Sequence, residues 1–220
     1  MKKSTKDILL ESAEDLIARN GYYETKVEDI TNKAGVAKGT FYIYFPSKEE
    51  MFIAILNKRI SALSDKIGLI REKSNNFEEK MFFATREYLI FLTDNLGIIG
   101  TFVSFEKEKK NSKFMKMLME LHNIKIETLT EFFRDAVEKK EVEFKYPDRI
   151  DAIARMYDIC RTEYIFHSIM QVMIDEDENN ICSLLKQKLE PQQIDTIKEK
   201  IDIDKEARFI NETFLRGLVK

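Results

Sequence analysis

Residues 25–50, TKVEDITNKAGVAKGTFYIYFPSKEE, constrain this chain more than any other stretch. Thr25 and Glu28 have the S/T-x-x-E spacing of a capping box, which predicts a helix starting at Thr25. Val27, Ile30 and Ala34 fall at i, i+3 and i+7 and make one apolar stripe on that short helix. Gly35 follows, and glycine reaches the positive φ that commonly ends a helix. A second short helix is predicted over Lys38 to Tyr44. Pro46 cannot continue it, and Ser47 with Glu50 repeats the capping-box spacing at the head of a longer helix. Two short helices about a glycine-bearing turn make a helix-turn-helix, whose second helix commonly enters the DNA major groove.

A bare helix-turn-helix pattern is weak, since any helical hairpin can imitate it. Here the pattern is denser. The apolar run from Ile8 to Ile17 supplies a preceding helix, with Ile8, Leu9, Ala13, Leu16 and Ile17 facing a small core. Gly21-Tyr22, Thr25, Ile30, Ala34-Gly35-Val36, Gly39-Thr40-Phe41-Tyr42, Tyr44-Phe45 and Lys48-Glu49 follow without a break. This string resembles the N-terminal pattern of the TetR family of transcriptional repressors and covers roughly the first 55 residues. One departure is Ala37, where the family often carries Ser or Thr. An N-cap without a polar side chain costs its helix about 1 kcal/mol.

Composition supports an all-helical chain. Three prolines and seven glycines in 220 residues are few for a many-turned sheet, and no long stretch alternates apolar and polar residues. No run of 18 apolar residues predicts a membrane span, and MKKSTKD lacks the apolar core of a secretory signal. Cys160 and Cys182 have no CxxC spacing, which speaks against a disulfide framework or a zinc site and for a reduced, cytoplasmic protein. Nothing in the sequence asks for a cofactor or a metal. The net charge of −3 does not advertise a nucleic-acid binder, but a duplex responds to local charge. Lys26, Lys33, Lys38 and Lys48 against Glu28 and Asp29 give a local excess of two positive charges, and Lys2, Lys3 and Lys6 add a basic arm. The acidic balance lies toward the C-terminus, as in Asp175-Glu176-Asp177-Glu178.

Further helices are predicted over Thr5–Asn20, Lys48–Lys73, Phe77–Asp94, Ser112–Lys140, Pro147–Ile174 and Lys205–Leu218. Residues 175–180 read as a loop, and residues 181–201 as a variable piece with short helices of its own. The expected organisation is a helix-turn-helix domain over 1–47 and a ligand-binding and dimerisation domain over 48–220. The helix over 48–73 connects them.

The resemblance implies DNA-contacting roles for Thr25, Lys26, Lys38, Gly39, Thr40, Tyr42, Tyr44 and Lys48. Gly39 lets the backbone approach DNA, Thr40 can meet a phosphate or a thymine methyl, and the tyrosines donate to phosphates. Lys48 matches the family's phosphate-binding lysine at a helix N-terminus. Phe41 and Phe45 read as core. From Phe77 onward the chain is rich in Phe and Met, which line an apolar pocket or, more commonly for any one residue, fill a solid core. The resemblance implies such a pocket, for an apolar or amphipathic effector, with Phe82, Phe102, Met119, His122 and Tyr164 as candidate lining. It also implies a homodimer joined through helices 147–174 and 205–218, with Tyr157, Cys160, Tyr164, Phe209 and Phe214 as candidate interface. The partners expected are then a double-stranded operator, a small effector and a second copy of the chain. Glu163 and His167 at i, i+4 imitate an acid–base dyad, but no nucleophile elbow, phosphate loop or metal cluster accompanies them. An enzyme is therefore not expected.

Overall fold

A computed structural model describes residues 3–73, 76–96, 112–174 and 191–219. Nine helices are described: α1 (Thr5–Asn20), α2 (Val27–Ala34), α3 (Lys38–Tyr44), α4 (Lys48–Lys73), α5 (Phe77–Asp94), α6 (Ser112–Glu138), α7 (Ile150–Ile174), α8 (Pro191–Lys200) and α9 (Ile203–Leu218). No strand forms among the described residues. A single antiparallel bridge pairs Phe144 with Val219 and ties the C-terminus to the connection between α6 and α7.

Local chemistry explains most helix ends. Ser4 caps α1 by accepting the Asp7 N–H at 3.1 Å. Asn76 does the same for α5 through the Glu79 N–H at 3.2 Å, and Asp202 for α9 through the Lys205 N–H at 3.1 Å. Ser47 accepts the Glu50 N–H at 3.1 Å at the head of α4. Ala37 heads α3 with no side-chain cap, as its methyl requires.

Three starts differ from the sequence expectation. Helix α2 begins at Val27 rather than Thr25. The Thr25 side chain is drawn into the core, where its hydroxyl donates to the Gly21 carbonyl at 2.7 Å. Asp29 caps instead, its carboxylate accepting the Lys26 N–H at 3.1 Å. Pro147 opens a single 3₁₀ turn, Pro147–Arg149, and α7 proper begins at Ile150. Helix α9 starts at Ile203, two residues before Lys205, because Asp202 caps it.

Two hydrophobic cores result. The first joins Leu9, Ala13 and Ile17 of α1, Ile30 of α2, Phe41 of α3 and Phe52, Ile55 and Leu56 of α4, with Phe45 also buried. The second gathers α5 to α9 around Phe77, Phe132, Phe133, Phe144 and Tyr157. Leu63 and Ile67, from the far half of α4, belong to this second core. One 26-residue helix therefore packs its first half into the helix-turn-helix and its second half into the larger bundle.

Among the described residues of the bundle, the buried polar side chains cluster on one another, and Asn211 Nδ2 alone is left without a partner. Lys80 donates to both carboxylate oxygens of Glu141 at 2.7 Å, with both side chains almost wholly buried. The hydroxyls of Thr85 and Tyr157 meet the side-chain oxygen of Asn211, linking α5, α7 and α9. Burial pushes the Tyr157 phenol up to about 12.

Two helices end through a left-handed residue. After α2, Gly35 takes φ 67°, and the Val36 N–H reaches the Thr31 carbonyl at 3.0 Å. After α6, Lys140 takes φ 58°, and the Glu141 N–H reaches the Ala136 carbonyl at 2.9 Å. An L side chain in this region is penalised by about 1–2 kcal/mol, and glycine is not. Gly35→Ala should thus destabilise the protein and Lys140→Gly should stabilise it, each by about 1 kcal/mol. Urea unfolding of both variants checks this, and shifts of the same sign would contradict it.

Candidate nucleic-acid interface and effector cavity

Phe41 of α3 and Phe45, the extended residue that follows the helix, are both buried and pin α3 to the first core. Positions two residues away on a helix point the opposite way. Gly39 and Ile43 are accordingly exposed, with Lys38, Tyr42 and Tyr44 beside them and Thr40 half-buried. Ile43 is 79% exposed, the most exposed of the large hydrophobic side chains among the described residues. The sequence reading passed over it, although the period set by Phe41 and Phe45 points it outward.

Gly39 is a glycine the fold does not require. A Cβ built there meets nothing within 4 Å, and its φ is not in the left-handed range. Glycine inside a helix costs about 0.5–1 kcal/mol against alanine, so the bare backbone at 39 is a surface property rather than a packing one.

Three lysines of the N-terminal domain pair with carboxylates. Lys38 pairs with Glu28 across the turn; that hydrogen bond and charge raise the ammonium above its ordinary value and hold the carboxyl below its own. Both side chains are exposed, so water and salt screen the pair. Lys33 pairs with Asp15, and Lys3 with Glu11. Lys26 is exposed.

Two sequence-predicted DNA contacts sit elsewhere. Thr25 is fully buried and presents no side-chain surface to a duplex. Lys48 turns inward: its ammonium donates to the carbonyls of Tyr22 at 2.8 Å and Thr25 at 3.0 Å and lies 4.3 Å from the Tyr22 ring centroid. Partial burial pulls its pKa down, against the charge of Glu24. Lys48 thus clamps the loop between α1 and α2 onto the head of α4.

A cavity of about 260 Å³ lies among α4, α5, α6 and α7. Ile60, Leu63 and Ile67 of α4 form one wall, faced by Tyr88 and Leu92 of α5 and Phe166 of α7. His122, Lys125 and Arg161 also line it. Arg161 is buried, its guanidinium 3.7 Å from the Tyr88 ring centroid, and its Nη2 donates to Asp158 Oδ1 at 2.9 Å. Lys125 reaches the other oxygen of the same carboxylate at 2.6 Å. Burial pushes the Asp158 carboxyl up, but the charges of Arg161 and Lys125 and their hydrogen bonds outweigh it, and the group is held below its ordinary value.

Of the expected pocket residues, His122 lines this cavity. Phe82 instead faces an open groove of about 1180 Å³ bordered by α5 and α9, beneath the guanidinium of Arg208. Met119 is exposed to solvent. Tyr164 packs on Phe209 and donates its hydroxyl to Glu206 at 2.6 Å. Phe102 lies outside the described residues. The spacing of apolar residues predicted α5, α6 and α7 but not which of their faces leave a void between them.

The expected interface residues also divide. Tyr157 is fully buried within its own chain, and Phe214 packs against it at 4.8 Å between ring centroids. Tyr157 is therefore not a surface residue, while Phe214 is half-buried. Cys160 and Phe209 are exposed, and Tyr164 is half-buried beside Phe209. Met156 and Ile159, both more than half exposed on α7, were not anticipated. Glu163 and His167 face solvent on the same helix. None of the described helices is long and apolar enough to cross a membrane.

Residues 9–55 match the sequence profile of bacterial regulatory proteins of the tetR family. The chain is 30% identical over 126 residues to the dhaKLM operon transcriptional activator DhaS of Lactococcus lactis, covering 50% of this chain and 67% of that one. It is 24% identical over 136 residues to the fatty acid metabolism regulator protein of Bacillus subtilis, covering 61% and 69%. The transcriptional regulator FadR of Bacillus subtilis, solved in complex with stearoyl-CoA, superimposes with a TM-score of 0.63 at 18% identity over 96% of this chain and 98% of that one. That structural likeness concerns the fold. The helix-turn-helix, the helical bundle behind it and these matches agree: the chain is a transcriptional regulator, not an enzyme, and belongs to the TetR family.

Proposed function

We propose that this protein is a cytoplasmic, homodimeric repressor that binds a pseudo-palindromic operator and releases it when an amphipathic small molecule enters the cavity bounded by α4. The observation that carries this reading is the division of α4 between two cores: Ile60, Leu63 and Ile67 wall the cavity, while Phe52, Ile55 and Leu56 fix the helix-turn-helix. A ligand that moves one half of this helix moves the frame that holds α3. It shifts the equilibrium only by its differential affinity for the two arrangements. The exposed Met156, Ile159 and Phe209 support dimerisation through α7 and α9. A two-fold dimer then presents two copies of α3 to half-sites one or more helical turns apart. The stearoyl-CoA held by the structural neighbour makes fatty acyl compounds the first effectors to try.

In this reading Gly39 brings the backbone close to DNA, Lys26, Lys38, Tyr42 and Tyr44 meet phosphates, and Thr40 and Ile43 meet base edges. Apolar side chains recognise the thymine methyl. Lys48 and Thr25 act one step back, by holding the loop between α1 and α2 that carries Lys26.

Gel shifts on the chain's own upstream DNA test the whole. Binding should exceed that to random DNA of equal length by about a thousandfold or more and weaken with salt. An acyl effector should lower it by about tenfold or more. Equal binding to both DNAs would defeat the operator reading. In vitro transcription from the same DNA separates repression from activation.

Two variants separate contact from support. Gly39→Ala should raise thermal stability by about 0.5–1 kcal/mol while weakening operator binding about tenfold. If operator affinity is unchanged, the duplex does not approach residue 39. Lys48→Met should destabilise by about 1–2 kcal/mol, discounted for its part-exposure, and leave the salt slope of DNA binding unchanged. A slope shallower by about one, with stability intact, would return Lys48 to a phosphate contact.

A further inference from the structure

The charges around the cavity do not cancel. Lys125 and Arg161 line it, and no Asp or Glu is among its described lining residues. Behind them stands one carboxylate, Asp158, almost wholly buried, with one oxygen taken by each cation. Two positive groups share one negative group. The excess charge sits at the edge of a space whose other walls are aliphatic or aromatic, where an unbalanced ion is poorly solvated. The Tyr88 ring beneath Arg161, and 5.7 Å from the Lys125 ammonium, spreads some of that charge without neutralising it.

We infer that the effector is an amphiphile whose polar end carries a negative charge, seated against Lys125 and Arg161 with its apolar chain between α4, α5 and α7. This rests on the effector reading above and names the charge of what enters. Arg161 is fixed by stacking and by Asp158, so its donors are oriented before any ligand arrives. Lys125 is the adaptable partner: its side chain is 27% exposed, and its ammonium carries three donors, one of them directed at Asp158. An arriving oxyanion brings the cluster to neutrality. A neutral head of equal size leaves the imbalance in place and gains only the burial of its chain. A carboxylate and a phosphate monoester share the required chemistry, and their affinities tell them apart.

Calorimetric titration of the full-length protein with decanoate, monodecyl phosphate and decanol tests the inference. One of the two anions should bind about tenfold to a hundredfold more tightly than decanol, the range of a charge-assisted hydrogen bond. The tighter anion identifies the head group. In Lys125→Met, which leaves the Arg161–Asp158 pair in place, that preference should collapse while decanol binding persists. Lys125→Arg should restore it. Decanol binding as tightly as both anions to the wild-type protein would overturn the charge assignment and leave an apolar effector standing. Binding of none of the three would remove the effector reading and this inference together. The wild-type comparison holds even if a variant fails to fold.

Discussion

The structure depends on one continuous helix being buried in two places. Helix α4 gives Met51, Phe52, Ile55 and Leu56 to the core of the helix-turn-helix and Leu63 and Ile67 to the core of the bundle. Each set is held by its own neighbours, and burial of a large apolar side chain is worth about 1.5–3 kcal/mol. Neither end can slip without exposing several such residues. A packed core switches between discrete arrangements rather than deforming smoothly, so a displacement at one end is carried to the other. Arg59 adds a polar tie at the midpoint of α4. Its Nε donates to Glu14 of α1 at 3.3 Å, and its Nη1 reaches Asn95 at the end of α5.

The same constraint sorts the residues of the candidate DNA face. A seven-residue helix with Phe41 turned inward and Phe45 buried directly after it has little freedom, and its outward residues follow from the period. What it lacks is a capped start. Ala37 accepts the Thr40 N–H at 2.9 Å through its carbonyl, but its side chain contributes nothing to the first turn. The Lys38–Glu28 pair ties that turn back to α2. Because the pair is exposed, the tie weakens with salt, in the same direction as any phosphate contact.

Much of this architecture was legible in the sequence, for a local reason. Helix α1 starts behind Ser4 and α5 behind Asn76, and α3 ends just before Pro46, because caps and breakers act on residues within one turn. The departures from the sequence expectation are non-local. Thr25 has capping-box spacing, yet the core below claims its side chain, and Asp29 caps in its place. Lys48 occupies the position of a phosphate lysine, yet two carbonyls of the loop preceding α2 lie within reach of its ammonium. Tyr157 falls on the helix expected at the interface, but its phenol finds Thr85 and Asn211 inside the chain. Helical spacing shows which residues share a face; it does not show which neighbour that face meets.

The polar cluster at the cavity illustrates the same limit. Asp158 and Arg161 are three apart on one helix, a spacing that reads as an ordinary surface pair. Here both are buried, and Lys125 of α6 turns the pair into a trio with an odd charge. The trio joins α6 to α7 at the cavity, and Ile60, Leu63 and Ile67 of α4 line it as well. In the proposed mechanism the two ends of a ligand therefore do different work. The charged end is held by a rigid, pre-oriented cluster, which governs what binds. The apolar end meets Ile60, Leu63 and Ile67, the part of the cavity connected to the DNA-binding core, and governs whether binding is felt there. Recognition and release would then vary separately: shortening the chain of a ligand with the right head weakens its effect on DNA binding more than its hold on Arg161.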